Sequence, residues 1–203
     1  MDEPNLCKSN IIRLERFTTE ELEKKVIFEL NAETLSWVSK RIIYIGKEKF
    51  DKIKYDAKSM LSMWDSTIKT IIESVFKSFQ LPFEIEKSSL DSMPSCLIKV
   101  ENTLVFQGEE KNFKDVKQAK KNLKKRLHKN NKNPSESCFP YLFCYVIAGE
   151  RIQLYVLDRS GAKKTELIEL SRILCLSDLN DQVEAIKCFT NIALIISGFF
   201  NAE

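Results

Sequence analysis

The tripeptide Glu109-Glu110-Lys111 is the part of the sequence whose residue types and spacing could do chemistry. It follows the apolar stretch TLVFQG and precedes a lysine-rich segment. If this stretch is a strand, Glu109 and Lys111 project to one side while Glu110 points away. A carboxylate there suits Mg²⁺, and a neighbouring ammonium can orient an attacking water and stabilise charge on phosphoryl oxygens. The alternative is an exposed ion pair of small energetic value.

Other catalytic chemistries find no support in the residue pattern. The six cysteines are scattered without a C-x-x-C pair, which favours buried reduced thiols over disulfides or zinc ligands. The single histidine, His128, lies among lysines, which argues against a catalytic triad. No G-x-x-x-x-G-K phosphate loop is present. We expect a soluble intracellular protein, since the N-terminal residues lack a secretory apolar stretch and the run IALIISGFF is short for a membrane span.

Charge is concentrated in one segment of the chain. Residues 114–132 hold nine Lys or Arg and one Asp, a net charge of +8, whereas 23 basic and 28 acidic residues elsewhere leave −5. A basic stripe on a mildly acidic body is typical of polyanion binding. A well-solvated helix face is the other interpretation, and the sequence leaves both open.

The first part of the chain has helical periodicity. TTEELEKKVIFEL and NAETLSWVSKRIIYI predict two helices, and apolar residues every three or four positions predict a third over roughly 56–79, ended by Pro82. We therefore expect an N-terminal helical extension over 1–55 and a second domain over 56–203.

After Pro82 the period changes to two, which predicts a short strand at 83–86. SCLIKVEN and TLVFQGE predict two further strands with a turn at Glu101-Asn102. A helix is predicted over 113–128, with an apolar stripe at Val116, Ala119 or Lys120, Leu123 and Leu127.

The remaining elements complete an α/β fold. FPYLFCYVIA predicts a strand buried on both faces, Gly149-Glu150 a turn, and RIQLYVLD an alternating strand. TELIEL predicts a short strand, and residues 179–200 predict a helix that is apolar almost all round. The predicted fold class is α/β, a mixed sheet flanked by helices.

The order helix, three strands, helix, strand, with E-x-K ending the third strand, resembles the PD-(D/E)XK nuclease-like superfamily. MPSCLIKVENTLVFQGEEKNFKDVKQAKKNL and FPYLFCYVIAGERIQLYVLD look like the nuclease-like module of Crinkler-type effectors and fungal kinase-linked proteins. The resemblance covers roughly residues 70–160. It implies a restriction-endonuclease-like αβββαβ core.

The resemblance also implies roles for individual residues. Glu73 and Glu109 would bind Mg²⁺, and Lys111 would orient the water for phosphodiester hydrolysis. The family's metal-binding Asp follows a proline, but here the sequence MPS places Ser95 there. Ser95, or Asp91 four residues before it, would have to complete the metal's ligand shell. The motif is therefore incomplete, and the fold and surface can survive while turnover is weak or lost.

The leading hypothesis is a nucleic-acid-binding domain, with DNA as the expected partner and Mg²⁺ as the only cofactor if it is active. The expected binding residues are basic and lie in the predicted 113–128 helix: Lys117, Lys120, Lys121, Lys124, Lys125 and Arg126. KKNLKKR adds an expectation of nuclear import, into a host nucleus if the protein is a secreted effector. The alternative is a catalytically dead protein-interaction or regulatory module. No membrane or small-molecule cofactor is expected.

Overall fold

The computed structural model describes residues 57–87, 96–111, 115–130, 139–159 and 166–201. Within these ranges the fold is α/β, with three helices and a mixed seven-stranded sheet, which confirms the predicted fold class. The two helices predicted before residue 57, and the boundary predicted at residue 55, lie outside the described residues. The elements, in chain order, are α1 Ala57–Ser78, β1 Phe83–Lys87, β2 Cys96–Val100, β3 Thr103–Lys111, α2 Val116–Asn130, β4 Tyr141–Ala148, β5 Arg151–Asp158, β6 Leu167–Glu169, β7 Leu174–Cys175 and α3 Leu179–Phe200.

The described residues belong to two compact units. One contains α1 and α3, which pack on each other, and the other is Pro82–Cys175, which holds the whole sheet and α2. Helix α1 ends where predicted, just before Pro82. Leu81 N–H donates to the Phe76 carbonyl and Gln80 N–H to that of Lys77, with Gln80 at φ 54°. This is a Schellman ending, in which a left-handed residue terminates the helix.

Helix α3 is buried nearly all round, as its sequence predicts. It begins at Asp178, whose carboxylate accepts hydrogen bonds from the backbone N–H groups of Asn180 and Asp181. Among the described helices it alone is long and apolar enough to cross a membrane by length and composition, although the run inside it was expected to be too short. In the protein, 72% of its most apolar stretch is buried, as is common for core helices.

The sheet has the strand order β1-β2-β3-β4-β5-β6, with β7 paired to β5. Only β3 and β4 are parallel among these pairs, and the connection between them carries α2, as a parallel crossover requires. The predicted turn at Glu101-Asn102 is confirmed, with φ of 49° and 65°. Two positive φ values match the right-handed twist of the hairpin strands.

Strands β4 and β5 form the buried centre of the sheet. β4 is buried at every position, as predicted. The alternation predicted for β5 is wrong, because residues 152–157 are all buried. The strand is interior, paired with β4, β6 and β7, and its one polar interior residue, Gln153, is satisfied by the Ser171 carbonyl and the Tyr155 hydroxyl. The short strand β7 was not predicted.

Buried thiols are confirmed for three cysteines in the described ranges. Cys96, Cys144 and Cys188 are free and buried, while Cys175 is free and half-buried. Burial raises the pKa of Cys188 to about 12 and raises that of Cys144 as well, so both thiols stay neutral near pH 7. Cys7 and Cys138 lie outside the described residues.

Helix α2 packs on one face of the sheet through its apolar stripe. The stripe residues Val116, Ala119, Leu123 and Leu127 are buried. They form one cluster with the even-numbered residues of β4, Leu142, Cys144, Val146 and Ala148, and with side chains of β5 and β6. Ala119 rather than Lys120 fills the second position of the stripe. One side of α2 is therefore fixed to the sheet.

Candidate functional site

Strand β3 ends in the GEEK motif, Gly108 to Lys111, and places successive side chains of this motif on opposite faces of the sheet. Glu109 pairs with Val146 of β4 and shares its face, the face that α2 covers. The Lys111 ammonium lies 3.5 Å from Glu109 Oε1, so these two side chains are together. Glu110 is on the opposite face, where its carboxylate accepts a hydrogen bond of 2.5 Å from the Tyr145 hydroxyl. The predicted division of the motif is confirmed.

Gly108 makes the contact between Tyr145 and Glu110 possible. A Cβ atom at Gly108 would lie 2.2 Å from Cζ and 2.4 Å from the hydroxyl oxygen of Tyr145. The Tyr145 ring therefore lies directly against the β3 backbone. Burial raises the pKa of the Tyr145 hydroxyl well above 10.0, and nearby Cys96 and Glu110 raise it further. As predicted, Tyr145 is a core residue: it is fully buried and stacks at 5.4 Å from the Phe106 ring.

Glu109 is fully buried, and two cations surround its carboxylate. Lys111 is near Oε1, and the Arg126 guanidinium of α2 lies 2.7 Å from Oε2. The side chains of Lys111 and Arg126 are only 16% and 13% exposed. The alternative of an exposed ion pair at this position is therefore wrong. The ion pair is internal and joins α2 to β3.

The electrostatics of Glu109 combine two opposing influences. Burial raises the pKa of Glu109 above its ordinary value of 4.5, and the nearby Arg126 and Lys111 charges lower it by less. Both cations lie close to the carboxylate, Lys111 beside Oε1 and Arg126 beside Oε2. Gln107, two residues earlier on the same face, is also buried, and both its amide atoms lack a hydrogen-bond partner among the described residues. The α2 face of β3 thus carries two buried polar side chains in succession.

Of the other predicted metal ligands, the structure describes only Glu73. Glu73 is a half-buried residue of α1 in the helical unit, where its carboxylate lies 3.5 Å from the Lys69 ammonium. Asp91 and Ser95 lie outside the described residues. Within the described ranges no three His, Cys, Asp or Glu side chains converge as a metal site would require.

The described donors around Glu109 do not suit Mg²⁺. That ion needs near-octahedral oxygen ligands with waters and usually one or two carboxylates. Here a single buried carboxylate is already compensated by two positive side chains. A divalent cation placed beside Arg126 and Lys111 would be repelled by both.

The outward side of α2 carries four lysines. Lys117, Lys121, Lys124 and Lys125 are exposed and fall within about 100° of arc at 3.6 residues per turn. We call these four residues the lysine face. No carboxylate of the described residues is within ion-pairing distance of them, and α2 itself contains no acidic residue. The lysine face is therefore a concentrated positive surface on a helix held from behind.

Two of the six basic residues predicted to bind nucleic acid are turned away from this face. Lys120 donates to Glu169 of β6 at 2.6 Å, and its ammonium lies 4.7 Å from the centroid of the Tyr155 ring. Arg126 is directed at Glu109. We therefore leave both residues out of the proposed binding surface below.

The structural position of Arg126 was missed by the sequence reasoning, although a signal for it exists. Arg126 follows Leu123 by three residues and precedes Leu127 by one, so it borders the apolar stripe. Basic side chains at such a border can reach inward along their aliphatic stems. Because the partner Glu109 is distant in the sequence, the composition of the helix alone groups Arg126 with the lysines.

The start of α2 is also fixed. The carboxylate of Asp115 accepts hydrogen bonds from the backbone N–H groups of Lys117 and Gln118, at 2.9 and 3.2 Å. This is an N-cap, which satisfies donors that the first helical turn leaves open. The cap sets where the helix begins and thus the phase of every side chain along it.

No family model, no curated protein and no solved structure matches the chain. The similarity of its motifs to the PD-(D/E)XK nuclease-like superfamily therefore stays a prediction.

Proposed function

We propose that this protein binds nucleic acid, with DNA as the expected ligand, through the lysine face of α2 and without sequence specificity. The observation that carries the proposal is the lysine face itself: four exposed lysines that form no ion pair with a described carboxylate, on a helix whose opposite side is anchored in the sheet. Lysine ammonium groups bind phosphate as point charges and do not read base edges.

Helix α2 is held in place at several points, and this supports the proposal in addition to the charge of the lysine face. The N-cap at Asp115, the buried stripe and the Arg126–Glu109 ion pair hold α2 at its start, along its length and near its end. A lysine array on a fixed scaffold loses less conformational freedom on binding than one on a free segment.

The element order supports a restriction-endonuclease-like αβββαβ core as the finer fold class. Helix α1, strands β1 to β3, helix α2 and strand β4 follow one another in that order, and β3 and β4 are parallel. In the proposed assignment GEEK is the remnant of a nuclease site, and phosphodiester hydrolysis is not part of the function. KKNLKKR would direct the protein to the nucleus.

A protein-binding surface finds less support among the described residues. Where the structure describes burial, the exposed large apolar side chains are Ile173 in the sheet unit and Leu179 in the helical unit, and a single exposed apolar residue in a unit does not make a patch. The alternative of a protein-interaction module is therefore an outcome of the test.

The test compares three proteins in a fluorescence-anisotropy titration with a labelled DNA duplex at low salt. One is the unchanged protein, and one carries lysine-to-glutamine substitutions at all four positions of the lysine face. The third is a control of equal net charge, with the same substitution at lysines on other elements: Lys69, Lys77, Lys99 and Lys187. We expect binding to be lost only in the second protein.

Equal binding by all three proteins would refute the assignment to the lysine face. Absence of binding by the unchanged protein would refute nucleic-acid binding and move the expectation to a protein partner. Incubation of plasmid DNA and of RNA with Mg²⁺ or Mn²⁺ completes the test. Cleavage that disappears in Glu109→Ala would contradict the proposal that hydrolysis is absent.

A further inference from the structure

We propose that Arg126 is the resident cation of Glu109: its guanidinium holds α2 on β3 and keeps divalent cations from the carboxylate. This inference concerns the core of the sheet unit and does not depend on nucleic-acid binding. It gives Arg126 a positioning role, whereas its sequence context groups it with the lysines that face solvent.

Cations already occupy both oxygens of the Glu109 carboxylate. Glu109 Oε2 lies 2.7 Å from Arg126 Nη1, and Oε1 lies 3.5 Å from Lys111 Nζ. Each oxygen thus has a cation beside it, and the three side chains together carry a net charge of +1 if all are ionised. An arriving divalent cation would meet a site that is already positive, inside a region of low dielectric constant where repulsion is strong.

Arginine is chemically suited to this internal position. A guanidinium stays charged even when mostly buried, and it is more weakly hydrated than an ammonium, so it is the cation best suited to an internal ion pair. Arg126 is 13% exposed, yet its partner is fully buried. Because the carboxylate belongs to β3 and the guanidinium to α2, their attraction links the helix to the strand.

Without Arg126, two buried oxygen donors would remain on this face of β3. Glu109 and Gln107 lie two residues apart on the same face of β3, and both are fully buried. The Gln107 amide oxygen has no hydrogen-bond partner among the described residues. A carboxylate and an amide oxygen are hard ligands of the kind that Mg²⁺ and Mn²⁺ accept, with water completing the shell. Removing Arg126 should therefore uncover a weak cation site.

The experiment follows the melting temperature with and without MnCl₂, without nucleic acid present. The variant is Arg126→Met, which keeps an unbranched apolar side chain but removes the charge. Lys125→Met, at the adjacent exposed position, is the matched control. Arg126→Lys keeps a cation, and Arg126→Met combined with Glu109→Gln removes the carboxylate as well.

We expect Arg126→Met to lower the melting temperature and Mn²⁺ to raise it again, by about 3 °C at a concentration tenfold above the dissociation constant. Mn²⁺ should not shift the unchanged protein, Lys125→Met, Arg126→Lys or the double variant. A folded Arg126→Met protein that does not respond to Mn²⁺ would overturn the proposal.

The unchanged protein provides a second test that does not depend on the folding of Arg126→Met. Its response to Mn²⁺ is compared with that of Glu109→Gln. Equal responses agree with a site closed by arginine. A larger response of the unchanged protein would mean that Glu109 binds the cation with Arg126 in place, and the proposal would be wrong.

Discussion

The salt dependence of DNA binding gives the most direct measure of the lysine face. A protein that neutralises Z phosphates of duplex DNA releases counterions, so the logarithm of its binding constant falls with the logarithm of salt concentration, with a slope of about −0.9Z. If all four lysines contact phosphates, they contribute a slope of about −3.6. Between 50 and 200 mM salt this corresponds to a loss of affinity of about 150-fold.

Lysines outside the described ranges add to the total slope, so the informative quantity is the difference between proteins. Each lysine-to-glutamine substitution at Lys117, Lys121, Lys124 or Lys125 should make the slope shallower by about 0.9, and the four together by about 3.6. Lys120→Gln should change the slope by less, because its ammonium is already paired with Glu169. The measurement is an anisotropy titration at five or more salt concentrations for each protein.

Lys77→Gln is the control for net charge, since Lys77 is an exposed lysine of a different helix, α1. It should leave the slope unchanged. The reasoning would be refuted if Lys121→Gln and Lys77→Gln changed the slope equally, because binding would then follow total charge and not this surface. It would also be refuted if the fourfold variant kept the slope of the unchanged protein.

Three further predictions concern stability, each measured by urea denaturation. Gly108→Ala should destabilise the protein by about 3 kcal/mol, since the new Cβ meets the Tyr145 ring. Adding Tyr145→Phe should not restore stability, because the ring carbons that the Cβ meets remain. Full stability of Gly108→Ala would disprove this packing. Since the pKa of Glu109 is raised, the native state binds its proton more tightly than the unfolded chain. Its contribution to stability is therefore present below pH 4.5 and lost as pH rises through the folded pKa. Glu109→Gln should remove this pH dependence of the free energy of unfolding, whereas Glu84→Gln, at an exposed position, should not. Identical pH profiles for the unchanged protein and Glu109→Gln would contradict this prediction. Gln80→Gly should stabilise the protein by up to about 1 kcal/mol, because glycine adopts φ of 54° without strain. A loss of stability would show that contacts of the Gln80 side chain stabilise the fold by more than its backbone conformation destabilises it.

Much of the fold was predictable from the sequence because local periodicity and tertiary burial agree. The helix ended by Pro82, the hairpin at Glu101-Asn102, the buried strand β4 and the apolar helix α3 all follow from spacing and turn residues. Strand β5 was predicted correctly as a strand, but its burial was not, because Gln153 looks like an outward residue. A polar side chain can be interior when its hydrogen bonds are satisfied, and that depends on Ser171 and Tyr155, whose proximity the sequence does not reveal.

The candidate site was only partly predictable, and the reason is long-range pairing. The sequence placed Glu109 and Lys111 on one side of a strand, which the structure confirms. It did not show that Glu109 is fully buried or that Arg126 is its partner, because burial depends on how α2 lies on the sheet. The roles of Glu73, Asp91 and Ser95 as metal ligands stay predictions.

The interleaving of inward and outward residues along α2 has a consequence for how this protein can change over evolution. Contacts to the sheet and exposed lysines alternate within one short helix that is fixed at its start by Asp115. Substitutions at exposed positions can therefore adjust surface charge without touching the core. Insertion or deletion of a single residue would instead rotate every later side chain by about 100°. It would turn lysines toward the sheet and Arg126 away from Glu109, so the helix should tolerate changes of residue type but not of length.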